Sequence, residues 1–144
     1  MDISGLVTQD NSEKGVWTQV EIYGKKQDFD VCVLGADSDA VVLYKRRKEI
    51  EAQRLVGSLL GKKDDDETRI ETADDIRGQS VEDAVVRLAG VRSRDDKPLT
   101  LQGVELKSDN ASYRLLCEKI PDIIQFVVGF SNRRANFLDG RKSS

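Results

Sequence analysis

The sequence predicts an α+β fold in which an N-terminal β-hairpin packs on a small, mostly helical domain. Two segments near the start alternate apolar and polar residues on either side of a glycine-containing turn, a pattern typical of hairpin strands. Longer segments downstream repeat apolar residues at helical spacing. The 144 residues are expected to form one domain over 1–144, because domains most often contain about 100–150 residues.

The hairpin is predicted over 15–35, and it follows a polar, aperiodic N-terminus over 1–14 that we expect to be loose. Its turn is predicted at Gly24-Lys25-Lys26. Alternation places one set of mainly apolar side chains on the inward face, namely Val16, Thr18, Val20, Ile22, Phe29, Val31 and Val33. A two-stranded hairpin is only marginally stable alone, so this face must pack on the helices.

A helix is predicted over 38–61, where apolar residues recur at a broken helical period and Gly61 supplies the stop. The following segment over 62–79 is dense in charge and poor in apolar residues. Such a composition buries too little apolar surface to form a core, so we predict a solvated linker.

Residues 80–138 are predicted to form the main helical part. Its first helix is capped by Ser80 and closed by Gly90. A short helix capped by Ser108 or Asn110 comes next, and Pro121 fits the first turn of the last helix. The tail over 139–144 is expected to be frayed.

Composition narrows the classes of partner. The 23 basic and 26 acidic residues give a net charge of −3, whereas proteins that bind nucleic acid through its phosphates carry a basic excess. The N-terminus lacks the features of a signal peptide, and no segment approaches the roughly 20 apolar residues that span a bilayer. We therefore expect a soluble, intracellular protein with neither a nucleic acid nor a membrane as partner.

The residues that usually carry catalysis are scarce. The chain has no histidine, which is the commonest general base and a frequent metal ligand. It also has no Cys-x-x-Cys pair and no phosphate-binding glycine loop. Cys32 and Cys117 each lie in an apolar pattern, so they are predicted to be buried hydrophobic residues rather than a disulfide. We expect no enzymatic activity, no cofactor and no metal.

Two charged runs admit a functional and a structural interpretation. Asp64-Asp65-Asp66 resembles a cation site, but contiguous carboxylates diverge instead of converging on an ion, so a solvated linker is favoured. Lys45-Arg46-Arg47-Lys48 resembles a nucleic-acid patch, but consecutive helical residues turn by about 100° each and form no single stripe. A solvated helix face is favoured, and it is a candidate to pair with acidic residues of a neighbouring subunit.

Aromatic residues give the second set of candidates. Trp17 is predicted on the hairpin face opposite Val16, where packing against a helix is favoured over a role as an interaction hot spot. Phe126, Phe130 and Phe137 recur at spacings of helical neighbours, which favours a core. Alternatively, the segment Arg134-Ala135-Asn136-Phe137 presents a docking surface.

Several motifs recur in a recognisable order. The first block contains Gly15–Trp17, the Phe29–Gly35 strand and the run Ala-Asp-Ser-Asp-Ala over 36–40; the second contains Leu115-Leu116, Pro121–Ile124 and Arg134–Phe137. In these motifs the chain resembles the tail assembly chaperones of long-tailed bacteriophages. It departs from the pattern at Leu88–Val91, where many members have a tryptophan.

The resemblance implies a non-enzymatic assembly factor. It implies binding to the tape measure protein to keep it soluble, recruitment of the major tail (tube) protein, and self-association into a spiral or helical array. The resemblance further implies that the protein acts in the host bacterial cytoplasm and is absent from the mature virion. Many members also occur in a longer, frameshifted form. The rival classes are a structural virion component, such as a head–tail connector or tail terminator protein, and a small regulatory protein that binds host nucleic acid.

The candidate residues fall into two groups. Those for partner binding or as part of the family signature are Trp17, Phe29, Phe126, Phe130, Arg133, Arg134, Asn136 and Phe137. Those for self-association are Lys45, Arg46, Arg47, Lys48, Asp64, Asp65 and Asp66.

Overall fold

The computed structural model describes residues 1–61 and 72–138, with side chains for 1–57 and 72–138. It confirms the predicted α+β class, with an N-terminal hairpin packed on helices. Short 3₁₀ turns lie at Ser4–Leu6 and Arg134–Phe137. The helices and strands, in chain order, are α1 Gln9–Lys14, β1 Val16–Ile22, β2 Lys25–Val33, α2 Asp39–Gly61, α3 Ala73–Val85, β3 Leu88–Ser93, β4 Thr100–Leu101, β5 Val104–Glu105, α4 Asn110–Lys119 and α5 Asp122–Asn132.

The hairpin turn is tighter than predicted. Strand β2 begins at Lys25, so the loop consists of Tyr23 and Gly24 alone, with φ angles of 55° and 75°. Two residues with positive φ make the type I′ turn whose twist matches that of the flanking strands. The two lysines predicted in the turn therefore belong to the strand.

A third strand, which was not predicted, completes the sheet from within the helical part over 80–138. Strand β3 pairs antiparallel with β2, which becomes the central strand in the order β1-β2-β3. The helix that was expected to close at Gly90 ends at Val85. A three-stranded sheet supplies the independent stability that a lone hairpin lacks. Strands β4 and β5 form a separate small hairpin.

Helix α3 begins eight residues earlier than predicted, since it starts at Ala73 and not after Ser80. Its N-cap is Thr72, whose hydroxyl accepts a hydrogen bond from the Asp75 N–H while the Asp75 carboxylate accepts one from the Thr72 N–H. This capping box satisfies two backbone donors at the helix start. The predicted linker is therefore wrong for 72–79. Residues 62–71, including Asp64, Asp65 and Asp66, and the predicted tail over 139–144 lie outside the described residues.

The core lies between the sheet and helices α3, α4 and α5. Each element contributes side chains from its inward face, and the fully buried ones include Val20, Val31, Val33, Ala84, Cys117, Ile123 and Val127. The two cysteines are free and buried, as predicted. A short hydrophobic stripe on each helix is sufficient to form this core, because the sheet covers the stripe.

The N-terminus is ordered from Thr8 onward, which corrects the prediction of a loose segment over 1–14. Ser12 is completely buried on α1, and its carbonyl accepts a hydrogen bond of 3.1 Å from the Gly35 N–H. A Cβ at position 35 would overlap the Ser12 side chain. The glycine after β2 therefore allows α1 to approach the exit of the strand, and polar side chains fix it there.

Helix α2 was predicted with nearly the correct bounds. Its buried apolar side chains are Val41 and Tyr44, whereas Val42 and Leu43 are half or more exposed. Among the described elements, α2 makes only sparse contact with the rest of the protein. No helix within residues 1–61 and 72–138 is long and apolar enough to cross a membrane.

Candidate functional site

The end of α5 is hydrogen-bonded to the loop that leaves β2. The Ser131 hydroxyl donates to the Leu34 carbonyl at 2.7 Å, and the Ala36 N–H donates to the Ser131 carbonyl at 3.2 Å. Ser131 is buried, so water cannot replace these bonds at low cost. The two bonds join residues nearly 100 positions apart in the chain.

Helix α1 completes the same region. The Asn11 side-chain amide donates to the Phe137 carbonyl at 2.9 Å. The Asp37 carboxylate accepts hydrogen bonds from the hydroxyls of Thr8, at 2.7 Å, and Ser12. We call α1, residues 34–38 and residues 131–138 together the N–C junction.

Asp37 is the charged centre of the N–C junction. Burial raises the pKa of its carboxyl. Hydrogen bonds from Ser12 and Thr8 and the nearby charge of Arg134 together lower the pKa by more than burial raises it, so the pKa lies below its usual range. The carboxylate is thus ionised at neutral pH. It ties α1 to the strand exit and lies within the electrostatic reach of the C-terminal turn.

The three phenylalanines of the last segment form one row. The Phe126 and Phe130 rings lie 6.2 Å apart and are stacked, and Phe130 meets Phe137 edge-on at 5.8 Å. Phe137 is 1% exposed, whereas Phe126 and Phe130 are half-buried against the core. The Phe137 ring is therefore out of reach of a partner, and its two neighbours present only part of their surface.

The arginines of the C-terminal segment lie beyond α5. The helix ends at Asn132, Arg133 has the extended angles φ −92° and ψ 101°, and Arg134 begins the 3₁₀ turn. The Asn136 amide donates to the Phe130 carbonyl at 3.0 Å, which satisfies one of the carbonyls left free at a helix end. Both arginine side chains are exposed and remain available for contact.

Trp17 lies on the outer face of the sheet, away from the core that α3, α4 and α5 form. It is opposite Cys32 in the register, and the Arg92 guanidinium lies 4.1 Å from the centre of its ring. The ring rests above Gly90, where a side chain would collide with it. Phe29 lies on the other face and packs partly buried against the core. The sheet thus holds the two aromatic candidates on opposite sides.

A salt-bridge network also lies on the outer face of the sheet. Asp30 is 6% exposed, and its carboxylate accepts hydrogen bonds from Arg92 Nε at 3.2 Å and from Arg94 Nη1 at 2.8 Å. A buried carboxylate needs such partners, because removing it from water is costly. Sequence reasoning missed all three residues. The alternation of side chains along a strand would have placed all three on the same face, but this inference requires that β3 is first recognised as a strand.

We predict that Gly90→Ala displaces the Trp17 ring. The added Cβ would lie 2.6 Å from Trp17 Cη2, and overpacking of this kind costs about 1–3 kcal/mol. That cost exceeds the roughly 0.5–1 kcal/mol that replacing a strand glycine contributes. Trp17 is the sole tryptophan of the chain, so its emission should shift to longer wavelength while the stability falls.

Gly57→Ala is the matched control, because a Cβ at that helical position meets nothing within 4 Å. It should leave the emission unchanged and stabilise the protein by up to about 1 kcal/mol. Unchanged emission in Gly90→Ala would show that Trp17 does not rest on β3.

The basic run on α2 is paired largely within its own chain. Arg46 lies 3.2 Å from Glu49, and Lys48 lies 3.3 Å from Glu82 on α3. Arg47 and Lys48 each lie 5.6 Å from the centre of the Tyr44 ring. Such exposed pairs contribute about 0–1 kcal/mol each, so Arg46 and Arg47 can exchange these partners for others.

The two cysteines of the described core are protonated thiols and not nucleophiles. Burial raises the pKa of Cys117 to about 12 and also raises that of Cys32, whereas a reactive cysteine has a lowered pKa. Within 1–61 and 72–138, no group of three or more Asp, Glu, Cys or His side chains could hold a metal ion. The hydrogen bonds of the N–C junction are suited to holding distant segments of the chain together, and the exposed side chains around it are suited to contact with a partner.

Comparison with protein-family models, with curated proteins and with solved structures returned no significant match.

Proposed function

We propose that this protein is a non-enzymatic tail assembly chaperone of a long-tailed bacteriophage. In this role it binds the tape measure protein, keeps it soluble and helps recruit the major tail protein. It acts in the host bacterial cytoplasm and is absent from the mature virion. The observation that carries the proposal is the N–C junction, because it joins the two sequence blocks on which the resemblance rests.

The contacts of the N–C junction explain why such blocks would occur together. In the first block, the N–H groups of Gly35 and Ala36 donate hydrogen bonds to the carbonyls of Ser12 and Ser131. In the second block, the Phe137 carbonyl accepts a hydrogen bond from the Asn11 side chain. Residues separated by about 100 positions therefore depend on one another. A family that keeps this arrangement would keep both blocks in the same order, which supports the resemblance as a property of one structural unit.

The distribution of apolar surface supports a binding role. Val42, Leu43, Leu55 and Val56 on α2 are each at least half exposed. Exposed apolar side chains on a helix with sparse contacts suit weak binding repeated along an extended partner. Many copies bound to one long chain would then hold it firmly through multivalency, without tight individual contacts. Head-to-tail self-association would arrange the copies as an open array.

Co-expression with the tape measure protein tests the proposal. We expect the tape measure protein to move from the insoluble to the soluble fraction and to co-elute with this chain. The control is co-expression with an unrelated aggregation-prone helical protein, which should remain insoluble. If the tape measure protein stays insoluble with both this chain and any longer frameshifted form, the chaperone function is wrong.

Purified virions separate the proposal from its structural rival. A chaperone leaves before the particle is complete, so this chain should be undetectable in virions by mass spectrometry. Stoichiometric recovery from virions would instead identify a structural component such as a head–tail connector or tail terminator protein.

A further inference from the structure

The three-stranded sheet has one capped edge and one open edge. At the edge formed by β3, the Ser108 hydroxyl accepts a hydrogen bond from the Val91 N–H at 3.1 Å and donates one to the Val91 carbonyl at 3.2 Å. One side chain therefore satisfies both backbone groups that Val91 directs away from β2. The other edge is β1, because the strand order is β1-β2-β3. Within 1–61 and 72–138, no strand pairs with the outer side of β1.

Alternation along β1 determines which backbone groups face the open edge. Ile22 ends the strand at the two-residue turn and pairs across it, so it directs its N–H and C=O toward β2. Every second residue does the same, and the residues between them, Trp17, Gln19 and Glu21, direct theirs outward. In the part of the chain that the structure describes, the only hydrogen bond to these outward groups is a 3.5 Å contact from the Thr18 hydroxyl to the Gln19 carbonyl.

Strand β1 has few of the features that keep an edge strand from pairing with another chain. Such edges are usually protected by lysine, proline, a bulge or a very short length. Strand β1 is seven residues long, contains neither lysine nor proline, and has Glu21 as its one charged residue. The change of register between Gln19 and Glu21 places the additional residues on β2. An open edge of this kind is a template for a further strand.

The outward residues of β1 are complementary to those of a second copy. When two copies run antiparallel about a twofold axis at Gln19, Gln19 is opposite the copy's Gln19, and Trp17 is opposite the copy's Glu21 in both directions. Each of these pairs joins residues that direct their backbone groups outward, so each exchanges two N–H···O bonds. A twofold axis at Glu21 would instead place two carboxylates opposite each other, which is destabilising. The axis at Gln19 is also the one that pairs the whole strand.

The same register matches the apolar face of β1. Val16 is opposite the copy's Ile22, and Thr18 is opposite the copy's Val20, all on the face that covers the core. In such non-hydrogen-bonded pairs the Cα atoms are about 4.5 Å apart and the side chains pack closely. Val16, Thr18 and Ile22 are half-buried in the single chain, so pairing removes further apolar surface from water.

Helix α5 extends this surface beneath the sheet. Of the three strands, β1 is the one that α5 contacts most. Ile124 faces a hollow of about 500 Å³ that α5 shares with α3 and α4. Phe126 follows at about 200° around the helix, so it lies on the flank of α5 away from α3, where a copy joined at β1 would lie. Phe126 and Phe130 are half-buried, and their remaining surface can pack against the same pair of the copy.

We propose that β1 pairs with the β1 of a second copy, antiparallel and centred on Gln19, to form a continuous six-stranded sheet with the two α5 helices side by side beneath it. The proposal goes beyond the proposed function and does not depend on it, because the open edge belongs to the fold whatever else the protein binds. The contact is isologous and closes on itself. An open array of copies would therefore use these dimers as its units and join them through a different surface.

Sedimentation equilibrium of the full chain provides the first test, and we expect a species of twice the 16.1 kDa mass of the chain. Gln19→Pro removes the N–H that points outward at the twofold axis. Proline is tolerated in an edge strand where its nitrogen faces solvent, so the single chain should still fold. The dissociation constant of the dimer should rise by about tenfold or more.

A charge exchange at the same position tests the register. Gln19→Lys and Gln19→Glu each place like charges opposite each other across the axis, and each should weaken self-association by about threefold or more. An equimolar mixture of the two variants should restore it to within about twofold of the unmodified chain, because opposite charges then meet. Gln53→Lys is the matched control, since Gln53 is an exposed residue of α2, and it should leave the dissociation constant within about twofold.

Circular dichroism will verify that each variant folds, and the charge exchange decides the question if Gln19→Pro does not. A chain that stays monomeric up to about 1 mM overturns the proposal. So does a dimer that responds to Gln53→Lys and not to the changes at Gln19, or a mixture of the two charged variants that associates no better than either alone. These measurements require no partner protein, so their failure is separate from failure of the tape measure protein to become soluble on co-expression.

Discussion

Replacement of Phe137 by alanine is expected to lower the free energy of unfolding by about 3–5 kcal/mol, the usual cost of removing a buried phenylalanine ring. The ring is 1% exposed and meets Phe130 edge-on. The backbone at Phe137 is also fixed in place, since the Phe137 carbonyl accepts a hydrogen bond from the Asn11 side chain. Neighbouring segments are thus poorly placed to collapse into the cavity. A loss of this size is a large part of the 5–15 kcal/mol that stabilises a typical domain.

Urea denaturation followed by far-ultraviolet circular dichroism measures the effect, and two variants serve as controls. Phe137→Leu retains most of the buried volume and should cost less than Phe137→Ala. Arg133→Ala removes an exposed side chain and should change the stability by no more than about 0.5 kcal/mol. A Phe137→Ala protein of normal stability that fails to bind the tape measure protein would show that the ring is a docking residue and not part of the core.

The elements that were predicted correctly depend on local sequence. The hairpin has alternating side chains and a glycine-containing turn, and α2 begins after a strand break and ends at a glycine. These signals act between residues close in the chain, so they are legible without knowledge of the tertiary fold. The inward face of the hairpin is apolar for the same reason.

The elements that were missed depend on distant partners. Strand β3 contains a glycine and two positions with polar or charged side chains, and it is stabilised by pairing with β2 some 60 residues earlier. Helix α1 is only six residues long and is held by Gly35 and Asp37. Isolated helices of that length are unstable in water, so no local pattern marks it. The start of α3 was a different failure, because its capping box lies inside a charge-rich segment.

The candidate site divides in the same way. The Phe126–Phe130 pair was predictable, because its spacing follows a helix, whereas Phe137 meets Phe130 from the 3₁₀ turn beyond α5. The role of Asp37 was not, because it depends on hydroxyls from Thr8 and Ser12, 29 and 25 residues away. A sequence shows which side chains can accept a hydrogen bond, but the fold decides which donors reach them.

Replacement of Asp37 by alanine is therefore expected to destabilise the protein by about 2–4 kcal/mol, since leaving a buried donor without a partner costs about 1–3 kcal/mol and two hydroxyls lose their acceptor. Thr8 is 8% exposed and Ser12 is completely buried, so water cannot easily replace the carboxylate. Asp37→Asn retains one acceptor oxygen and should lose less. Glu13, which accepts a hydrogen bond from the Asp39 N–H at the exposed start of α2, provides a control: Glu13→Gln should change the stability by no more than about 0.5 kcal/mol.

The contribution of Asp37 should also depend on pH with a definite sign. Its pKa in the folded protein is lowered, so the folded state favours the ionised carboxylate, and the stabilisation is complete above the unfolded-state pKa of about 3.9. It is lost as the pH falls through the lower folded-state pKa. The difference in unfolding free energy between the unmodified chain and Asp37→Asn should be constant above about pH 5 and shrink toward pH 2–3. Subtraction of the two curves removes the titration of the other carboxylates. A difference that stays constant to pH 2–3 would mean that the Asp37 carboxylate does not hold the N–C junction together through its charge.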